Sequence, residues 1–193
     1  MDLKKQKLLH NIGEADDRIS ELPDPILHHI LSFLDIKPVA RTCILSKRWN
    51  DIWTSIPTLS FGSRLEPPSL SETNKFMEFL DRTLLLHDTS SNIQKFHLKT
   101  NGHMSASRVH SWISNLTKRN VKEVGLYIGD DGWNEQHFSN CPVLKKLIMQ
   151  ECTWSDVRNF SISTPTLKLL EIDNDRSIMM AYNIVLSTFM HQI

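Results

Sequence analysis

The fold is decided by residues 17–57, which read DRISELPDPILHHILSFLDIKPVARTCILSKRWNDIWTSIP. Asp24 is predicted to cap a first helix with Pro25 at its first position, where a missing N–H costs nothing. Pro38 is predicted to open a second helix, and Ser46 to cap a third. Units of roughly forty residues seldom bury this much apolar surface alone. The stretch therefore predicts a three-helix module that binds a partner.

Apolar residues follow the helical period in each predicted helix. The first stripe consists of Ile26, Leu27, Ile30, Leu31 and Leu34. The second consists of Val39, Ala40, Cys43 and Ile44, and the third of Trp49, Ile52 and Trp53. Such stripes either pack on one another and on the rest of the chain, or form a surface that binds another protein.

The same stretch resembles the F-box, in particular the plant F-box proteins that carry leucine-rich repeats. Three runs carry the resemblance: Leu22-Pro23-Asp24, Ile30-Leu31-Ser32-Phe33-Leu34 and Leu45-Ser46-Lys47-Arg48-Trp49. Asp35-Ile36 departs from the Pro-Thr that is more usual there. The resemblance implies docking on a Skp-type adaptor, which tethers the protein to a cullin. The adaptor-facing residues that we expect are Leu22, Pro23, Ile26, Ile30, Leu31, Leu34, Val39, Leu45 and Trp49.

An internal repeat follows Pro57, on the leucine-rich template L-x-x-L-x-L-x-x-N/C. Four segments fit it, with first positions 28, 23 and 23 residues apart: Ile93–Asn101, Val121–Gly129, Leu144–Cys152 and Leu167–Asp175. Ile56-x-x-Leu59-x-Phe61 is a weaker first unit. The repeat predicts an incomplete, irregular solenoid with parallel strands inside and helices outside.

Helices are predicted in the two longer connections between these strands. Ser71 can cap the first, whose apolar face consists of Phe76, Phe79, Leu80, Thr83 and Leu84. The second carries Val109, Trp112, Ile113 and Leu116 and ends near Asn120. The later connections, residues 129–142 and 153–165, are shorter and predict a single helical turn or less.

The whole chain is thus predicted to be α+β to α/β, in four parts. These are a disordered tail (residues 1–16), the F-box (17–57), the repeats (58–175) and a truncated or improvised C-terminal cap (176–193). Asn183–Leu186 has the pattern of one more repeat, after which the chain stops, as in a truncated product. The alternative is that residues 178–190 form a capping helix.

The composition is typical of an intracellular interaction protein. Twenty-two Lys and Arg balance twenty-two Asp and Glu, so nucleic-acid binding is not expected. No secretory signal or membrane-spanning run is present, and three cysteines favour free thiols in the cytoplasm or nucleus. Nine scattered histidines, six glycines and no nucleophile-elbow motif predict no catalytic residue, metal site or cofactor.

The resemblance implies a substrate-recognition subunit of a Skp–cullin–F-box ubiquitin ligase, not an enzyme itself. Two alternatives stay open: an F-box module in a non-ligase complex, and an inert or dominant-negative fragment. The substrate is an unknown protein. The strand positions expected to face it show no ligand pattern; they are Lys95, His97, Lys99, Glu123, Gly125, Tyr127, Lys146, Ile148, Gln150, Leu169 and Glu171.

Overall fold

The computed structural model describes residues 18–62, 69–101, 104–128, 143–150, 159–162, 164, 166–173 and 183–186. The predicted disordered tail and the predicted connection of residues 129–142 lie outside these ranges. Within them, an N-terminal helical module precedes a parallel sheet. The predicted class is therefore confirmed as a mixed helix and sheet architecture.

Three short helices form the N-terminal module. They are α1 (Asp24–Leu31), α2 (Ile36–Arg41) and α3 (Lys47–Thr54), with a 3-10 turn at Thr42–Ile44 between the last two. Ser46 caps α3 as predicted, because its Oγ accepts a hydrogen bond from the Trp49 N–H at 3.4 Å.

Two helix starts differ from the sequence prediction. Helix α1 begins at Asp24 itself, so Pro23 precedes the helix and Pro25 lies in its first turn. Helix α2 begins at Ile36, two residues before the predicted start at Pro38. Both differences have one cause, since proline is tolerated throughout a first helical turn, where N–H groups have no intrahelical partner.

The rest of the described chain contains two longer helices and seven strands. The helices are α4 (Leu70–Leu86) and α5 (Ala106–Lys118). The strands are β1 (Thr58–Gly62), β2 (Lys95–Thr100), β3 (Glu123–Ile128), β4 (Lys146–Gln150), β5 (Asn159–Ile162), β6 (Leu169–Asp173) and β7 (Asn183–Leu186). Helix α4 joins β1 to β2, and α5 joins β2 to β3.

The predicted cap of α4 was wrong by two residues. Ser69, not Ser71, begins the helix: its Oγ accepts the Glu72 N–H at 3.3 Å, and a Glu72 carboxylate oxygen accepts the Ser69 N–H at 3.0 Å. A capping box needs glutamate or glutamine three residues after the serine, and Glu72 provides it for Ser69, whereas Ser71 is followed by the shorter Asn74. Helix α5 ends as predicted, with Asn120 at a φ of 58° just after it.

Five strands pair in parallel in the order β1-β2-β3-β4-β6. Equivalent positions of the repeat pair with one another along the whole sheet, and one apolar row shows this, buried except at its partly buried last member: Leu59, Phe96, Val124, Leu147 and Leu170. The register of the four predicted segments, and of the weaker first unit, is thereby confirmed.

Strands β5 and β7 form a separate parallel pair. Asn183–Leu186 is a strand, as the repeat pattern predicted, but it pairs with Asn159–Ile162 and does not extend the main sheet. Strand β5 lies in a connection that was predicted to hold only a helical turn. Residues 183–186 therefore form a strand outside the main sheet.

Helices α4 and α5 cover one face of the main sheet. Leu80 and Leu116 are fully buried in one apolar cluster with Phe96 and Leu126. The apolar faces predicted for both helices contribute to this cluster, with Phe76 and Phe79 packed at its edge. Thr73 and Met77 are also buried on α4, and the sequence prediction omitted them. The opposite sheet face carries the polar positions of the repeat.

The helical module packs against the edge strand β1. Ile36 and Val39 of α2 are buried in the same cluster as Leu59. On the polar side of β1, the Ser60 hydroxyl donates to Asp35 Oδ1 at 3.1 Å, and a Cβ at Gly62 would lie 2.8 Å from Asp35 Oδ2. Asp35, which departs from the family pattern, thus joins the module to the sheet.

A buried histidine makes a second connection between module and sheet. The His87 Nε2–H donates to the Ile56 carbonyl at 2.9 Å, while Arg119 Nη1 donates to His87 Nδ1 at 2.7 Å. Arg119 also donates to the carbonyls of Leu84 and His87. Burial, together with the Arg119 charge, places the pKa of His87 below its ordinary value. His87 is therefore a neutral imidazole that links the segment between α3 and β1 to the ends of α4 and α5.

This arrangement predicts that the protein loses stability in mild acid. The unfolded imidazole titrates near pH 6.5, whereas folded His87 resists protonation, so the folded chain binds fewer protons below that pH. The free energy of unfolding should be fully present above pH 6.5 and fall as the pH is lowered below it. Urea titrations at several pH values would measure the decline.

His87→Gln is the matched variant, because a neutral amide can accept from Arg119 and donate to Ile56. It should cost stability at neutral pH but show a shallower decline in acid than the wild type. Equal declines in the two proteins would mean that other histidines cause the effect.

Candidate functional site

One guanidinium organises the start of the helical module. Arg48 Nη1 donates to the Ser20 carbonyl, and its Nη2 donates to the Leu22 carbonyl and to Asp24 Oδ1. The neighbouring Trp49 indole N–H donates to Ser20 Oγ at 2.9 Å. The fork of the guanidinium can serve these acceptors together. Two runs of the predicted motif, one before α1 and one at α3, are therefore joined by direct hydrogen bonds.

The first helix divides its apolar stripe between interior and solvent. Leu27 and Leu31 are buried, with 1% and 4% of their surface exposed, whereas Ile26 and Ile30 are 47% and 45% exposed. Phe33 follows one turn after Ile30, is 76% exposed, and packs edge-on against the His29 ring at 5.0 Å between centroids. The outer side of α1 and of the turn after it is thus an unburied apolar face.

The turn before α3 adds further exposed apolar side chains. Ile44 and Leu45 are 84% and 64% exposed, and Leu34 is 45% exposed. Large apolar side chains are seldom grouped on solvent-facing surfaces unless they bind something. We refer to the exposed apolar residues of α1, of the turn after it and of the turn before α3 as the apolar face: Ile26, Ile30, Phe33, Leu34, Ile44 and Leu45.

The nine residues expected to face an adaptor fall into three groups. Pro23, Ile26, Ile30, Leu34 and Leu45 are exposed. Leu22 is half-buried and packs against the core. Leu31, Val39 and Trp49 are buried in the interior of the module and have at most 5% of their surface exposed. In this structure these three pack behind the apolar face, and their direct contact with an adaptor stays a prediction.

Sequence reasoning missed three residues of this region. Phe33 lies seven positions after Ile26, a spacing that places both on one side of a helix, but the predicted stripe continued through Leu34. The sequence predicted Ile44 on the same side of a second helix as Val39, whereas the chain forms a 3-10 turn there and Ile44 is exposed. The role of Arg48 depends on carbonyls more than twenty residues away, so no local pattern could find it.

The polar face of the sheet forms a second candidate site. Glu123 lies at its centre and accepts a hydrogen bond from the His97 Nε2–H at 3.0 Å, with Lys95 and Lys146 Nζ at 3.5 and 3.7 Å. Burial disfavours the charge of Glu123, but the hydrogen bond and the two ammonium groups outweigh it and hold its pKa below the ordinary value. The carboxylate is therefore ionised at neutral pH.

Further along the same strands, beyond Glu123, the polar face carries an aromatic ring and an amide side chain. Lys99 Nζ stands 5.8 Å from the centre of the Tyr127 ring, and Gln150 donates to Glu171 at 3.0 Å. Burial, with the charges of Glu171 and Glu123, raises the pKa of Tyr127. Gly125 lies beneath this row; a Cβ there would be 3.0 Å from the His97 ring. The surface is suited to binding polar groups.

The described part of the chain offers little for other chemistry. No group of three or more His, Cys, Asp or Glu side chains in it is placed to hold a metal ion. Its helices are also too short or too polar to cross a bilayer. The geometry therefore favours binding at the apolar face and at the polar sheet face.

The hydrogen bonds that Arg48 donates predict that its removal lowers the free energy of unfolding by a measurable amount. Arg48→Ala leaves two carbonyls and Asp24 without their donor, and charge-assisted hydrogen bonds are worth about 1.5–3 kcal/mol where they are shielded. Because the pair with Asp24 is largely exposed, we expect a loss near the lower end, about 1–2 kcal/mol of unfolding free energy. Urea unfolding followed by circular dichroism would measure it.

Lys47→Ala is the control, since Lys47 is the exposed neighbour on the same helix. It should change the free energy of unfolding by no more than about 0.5 kcal/mol. If both variants had the same stability, the Arg48 contacts would contribute nothing.

Comparison with known proteins points to one family. Residues 19–61 match the family model for the F-box domain. The matched range spans α1, α2 and α3 and continues into β1. It contains Arg48, its three acceptors and the whole apolar face.

Curated relatives from Arabidopsis thaliana match most of the chain. Putative F-box/LRR-repeat protein At3g18150 is 34% identical over 84% of this chain and 39% of its own length. F-box/LRR-repeat protein At3g58900 is 31% identical over 83% of this chain and 59% of its own length. F-box/FBD/LRR-repeat protein At1g51370 is 30% identical over 89% of this chain and 38% of its own length. The chain thus spans between 38% and 59% of these relatives. No solved structure gives a significant match.

Proposed function

We propose that this chain, which carries an F-box domain at residues 19–61 and is homologous to F-box/LRR-repeat proteins of Arabidopsis thaliana, is a substrate-recognition subunit of a Skp–cullin–F-box ubiquitin ligase. The observation that carries this proposal is the exposed apolar face inside the F-box range. F-box domains generally bind Skp-type adaptors, and an apolar face of this kind suits that role.

The exposure pattern supports an adaptor as the partner at this face. Ile26 and Ile30 are half exposed while Leu27 and Leu31, one position further round the same helix, are buried. The buried side of α1 thus holds the helix in place, while the exposed side is free to contact the adaptor. Contacts presented by a rigid element lose little conformational freedom on binding. In this arrangement Leu31, Val39 and Trp49 contribute to adaptor binding by holding the module together.

We further propose that the five-stranded sheet is the beginning of a leucine-rich-repeat solenoid. Its support is the register, in which equivalent template positions pair across all five strands. The polar side of each strand, for example His97 and Gln150, then forms a continuous surface for a protein substrate. The separate pair of β5 and β7 makes the solenoid irregular.

The proposed mechanism is proximity, with no catalytic residue in the chain. The adaptor would connect the F-box to a cullin in the cytoplasm or nucleus, and the sheet would hold the substrate near the ubiquitin-conjugating enzyme. Tethering raises the effective concentration of substrate lysines at a thioester that this protein does not touch. The chain would need no cofactor for this role.

The proposal predicts that one charge on the apolar face weakens adaptor binding. In Ile30→Asp a carboxylate would be buried against the apolar surface of the adaptor, which is strongly unfavourable. We expect the affinity for a plant Skp-type adaptor to fall at least about tenfold, which corresponds to about 1.4 kcal/mol. Calorimetric titration of the adaptor into the purified chain would measure this change.

The matched control is Leu85→Asp. Leu85 is 79% exposed and, like Ile30, lies in the last turn of its helix, so the new charge meets the same helix terminus. It should bind adaptor as the wild type does. Unchanged adaptor binding by Ile30→Asp would place the adaptor surface elsewhere, and equal losses in both variants would mean that any added charge weakens binding.

Affinity purification from plant cells then distinguishes the functions. Recovery of adaptor, cullin and a further protein with the wild-type chain supports the ligase role. Recovery of adaptor without cullin would indicate a non-ligase complex, and adaptor with cullin alone an inert fragment.

A further inference from the structure

Three lysines form a ladder along one edge of the sheet. Lys122, Lys145 and Lys168 each immediately precede a strand, and successive backbones are hydrogen-bonded: the Lys145 N–H donates to the Lys122 carbonyl at 2.8 Å, and the Lys168 N–H to the Lys145 carbonyl at 2.9 Å. The same series begins with Pro57 and Gln94. All three lysine side chains are exposed. Their backbones are therefore about 4.8 Å apart, as in any paired strands.

The adjoining row of the sheet adds two more cations. Lys95 and Lys146 start strands β2 and β4, and Glu123 lies between them. This one carboxylate faces both lysines and His97, so its single negative charge only partly balances the two lysines of its own row. We refer to the five lysines together as the basic rim: Lys95, Lys122, Lys145, Lys146 and Lys168.

The ladder has no counter-charge within the described ranges. No carboxylate there lies within ion-pair distance of Lys122, Lys145 or Lys168. Like charges on directly paired strand positions destabilise a sheet. Adjacent like charges closer than the Debye length of about 8 Å also raise a positive potential at this edge. A negatively charged partner would remove this repulsion and gain from the potential.

We propose that the basic rim binds a run of aspartate and glutamate residues in the protein that this chain recruits. The proposal rests on the proposed function only for the identity of the bound protein as a recruited substrate. An extended peptide advances about 3.3 Å per residue, so a run of four to six acidic residues covers the rim. Complementary charge of this kind speeds association and selects partners.

The chemistry of the rim favours an anionic peptide over single-stranded nucleic acid. Its lysines act as single point charges and lack the bidentate fork with which arginine selects phosphates and carboxylates alike. A run of single carboxylates along a peptide is therefore the simplest complement to the rim. Single-stranded nucleic acid needs aromatic side chains for its bases as well as cations, and the rim itself supplies only cations.

The test uses the full chain and a fluorescein-labelled peptide with six consecutive glutamates. Fluorescence anisotropy at about 50 and 200 mM salt should show saturable binding that weakens with salt. A peptide with six glutamines should not bind. The triple variant Lys122→Gln, Lys145→Gln, Lys168→Gln should bind the glutamate peptide at least about tenfold more weakly, since each exposed ionic contact contributes modestly.

The control is a second triple variant with the same loss of charge: Lys75→Gln, Arg82→Gln, Lys118→Gln. These three cations are exposed on α4 and α5, away from the rim. The control should bind the glutamate peptide as the wild type does, and circular dichroism should be alike for all three proteins. Equal losses in both variants would mean attraction by total charge and would overturn the proposal.

Two further outcomes would also overturn it. One is the absence of glutamate-peptide binding by the wild type. The other is tighter binding of a matched phosphoserine peptide or a single-stranded oligonucleotide. Adaptor binding is measured separately on the same samples and involves none of the rim lysines. A chain that binds adaptor but not the peptide refutes only the rim, and one that binds the peptide but not adaptor refutes only the ligase role.

Discussion

The structure depends on the burial of strand β1 between the helical module and the rest of the sheet. Neither of these two units could bury β1 alone. Leu59 and Phe61 of β1 are fully buried, and the cluster that contains them includes Ile36 and Val39 from the helical module and Phe96 from the next strand. A sheet edge left open to water is a liability for aggregation. Here the module packs at that edge, so the F-box and the sheet share one hydrophobic core.

Polar contacts at the same junction make the packing specific. On one side of β1, Asp35 accepts from Ser60 and lies where a side chain at Gly62 would collide with it. On the helical side, His87 connects the Ile56 carbonyl to Arg119. Hydrophobic burial alone is non-directional, whereas buried polar groups must be satisfied in one arrangement. These contacts therefore define how the module sits on the sheet.

Sequence patterns located nearly every element but not the contacts between distant elements. The register of the sheet followed from the repeat, because one template position recurs at Leu59, Phe96 and Val124. Helix starts were predicted less accurately. At α4 either Ser69 or Ser71 could cap the helix, and only the pair of hydrogen bonds between Ser69 and Glu72 distinguishes them. The pairing of β5 with β7 was not predictable, because β5 lies in a connection for which the repeat pattern predicted no strand.

The sequence predicted most residues of the apolar face, but it did not predict which of them point to solvent and which to the interior. The apolar stripe of α1 contains two columns, and period alone does not say that Leu27 faces inward and Ile26 outward. That choice depends on the position of α3, whose Trp49 and Ile52 fill the space behind α1. Motif resemblance likewise groups exposed residues such as Leu45 with buried ones such as Val39, because the same pattern records both binding and folding requirements.

The shared core has a consequence for a protein that acts by proximity. Effective concentration is high only when the two binding surfaces are held at a defined separation, and flexible linkers dilute it as they lengthen. In this chain the ladder of backbone hydrogen bonds that carries the basic rim starts at Pro57, three residues after α3 ends. The apolar face and the polar sheet are thus joined by packed side chains and backbone pairing through β1. A weakened junction, for example by protonation of His87, would loosen the orientation of a bound substrate without changing either binding surface.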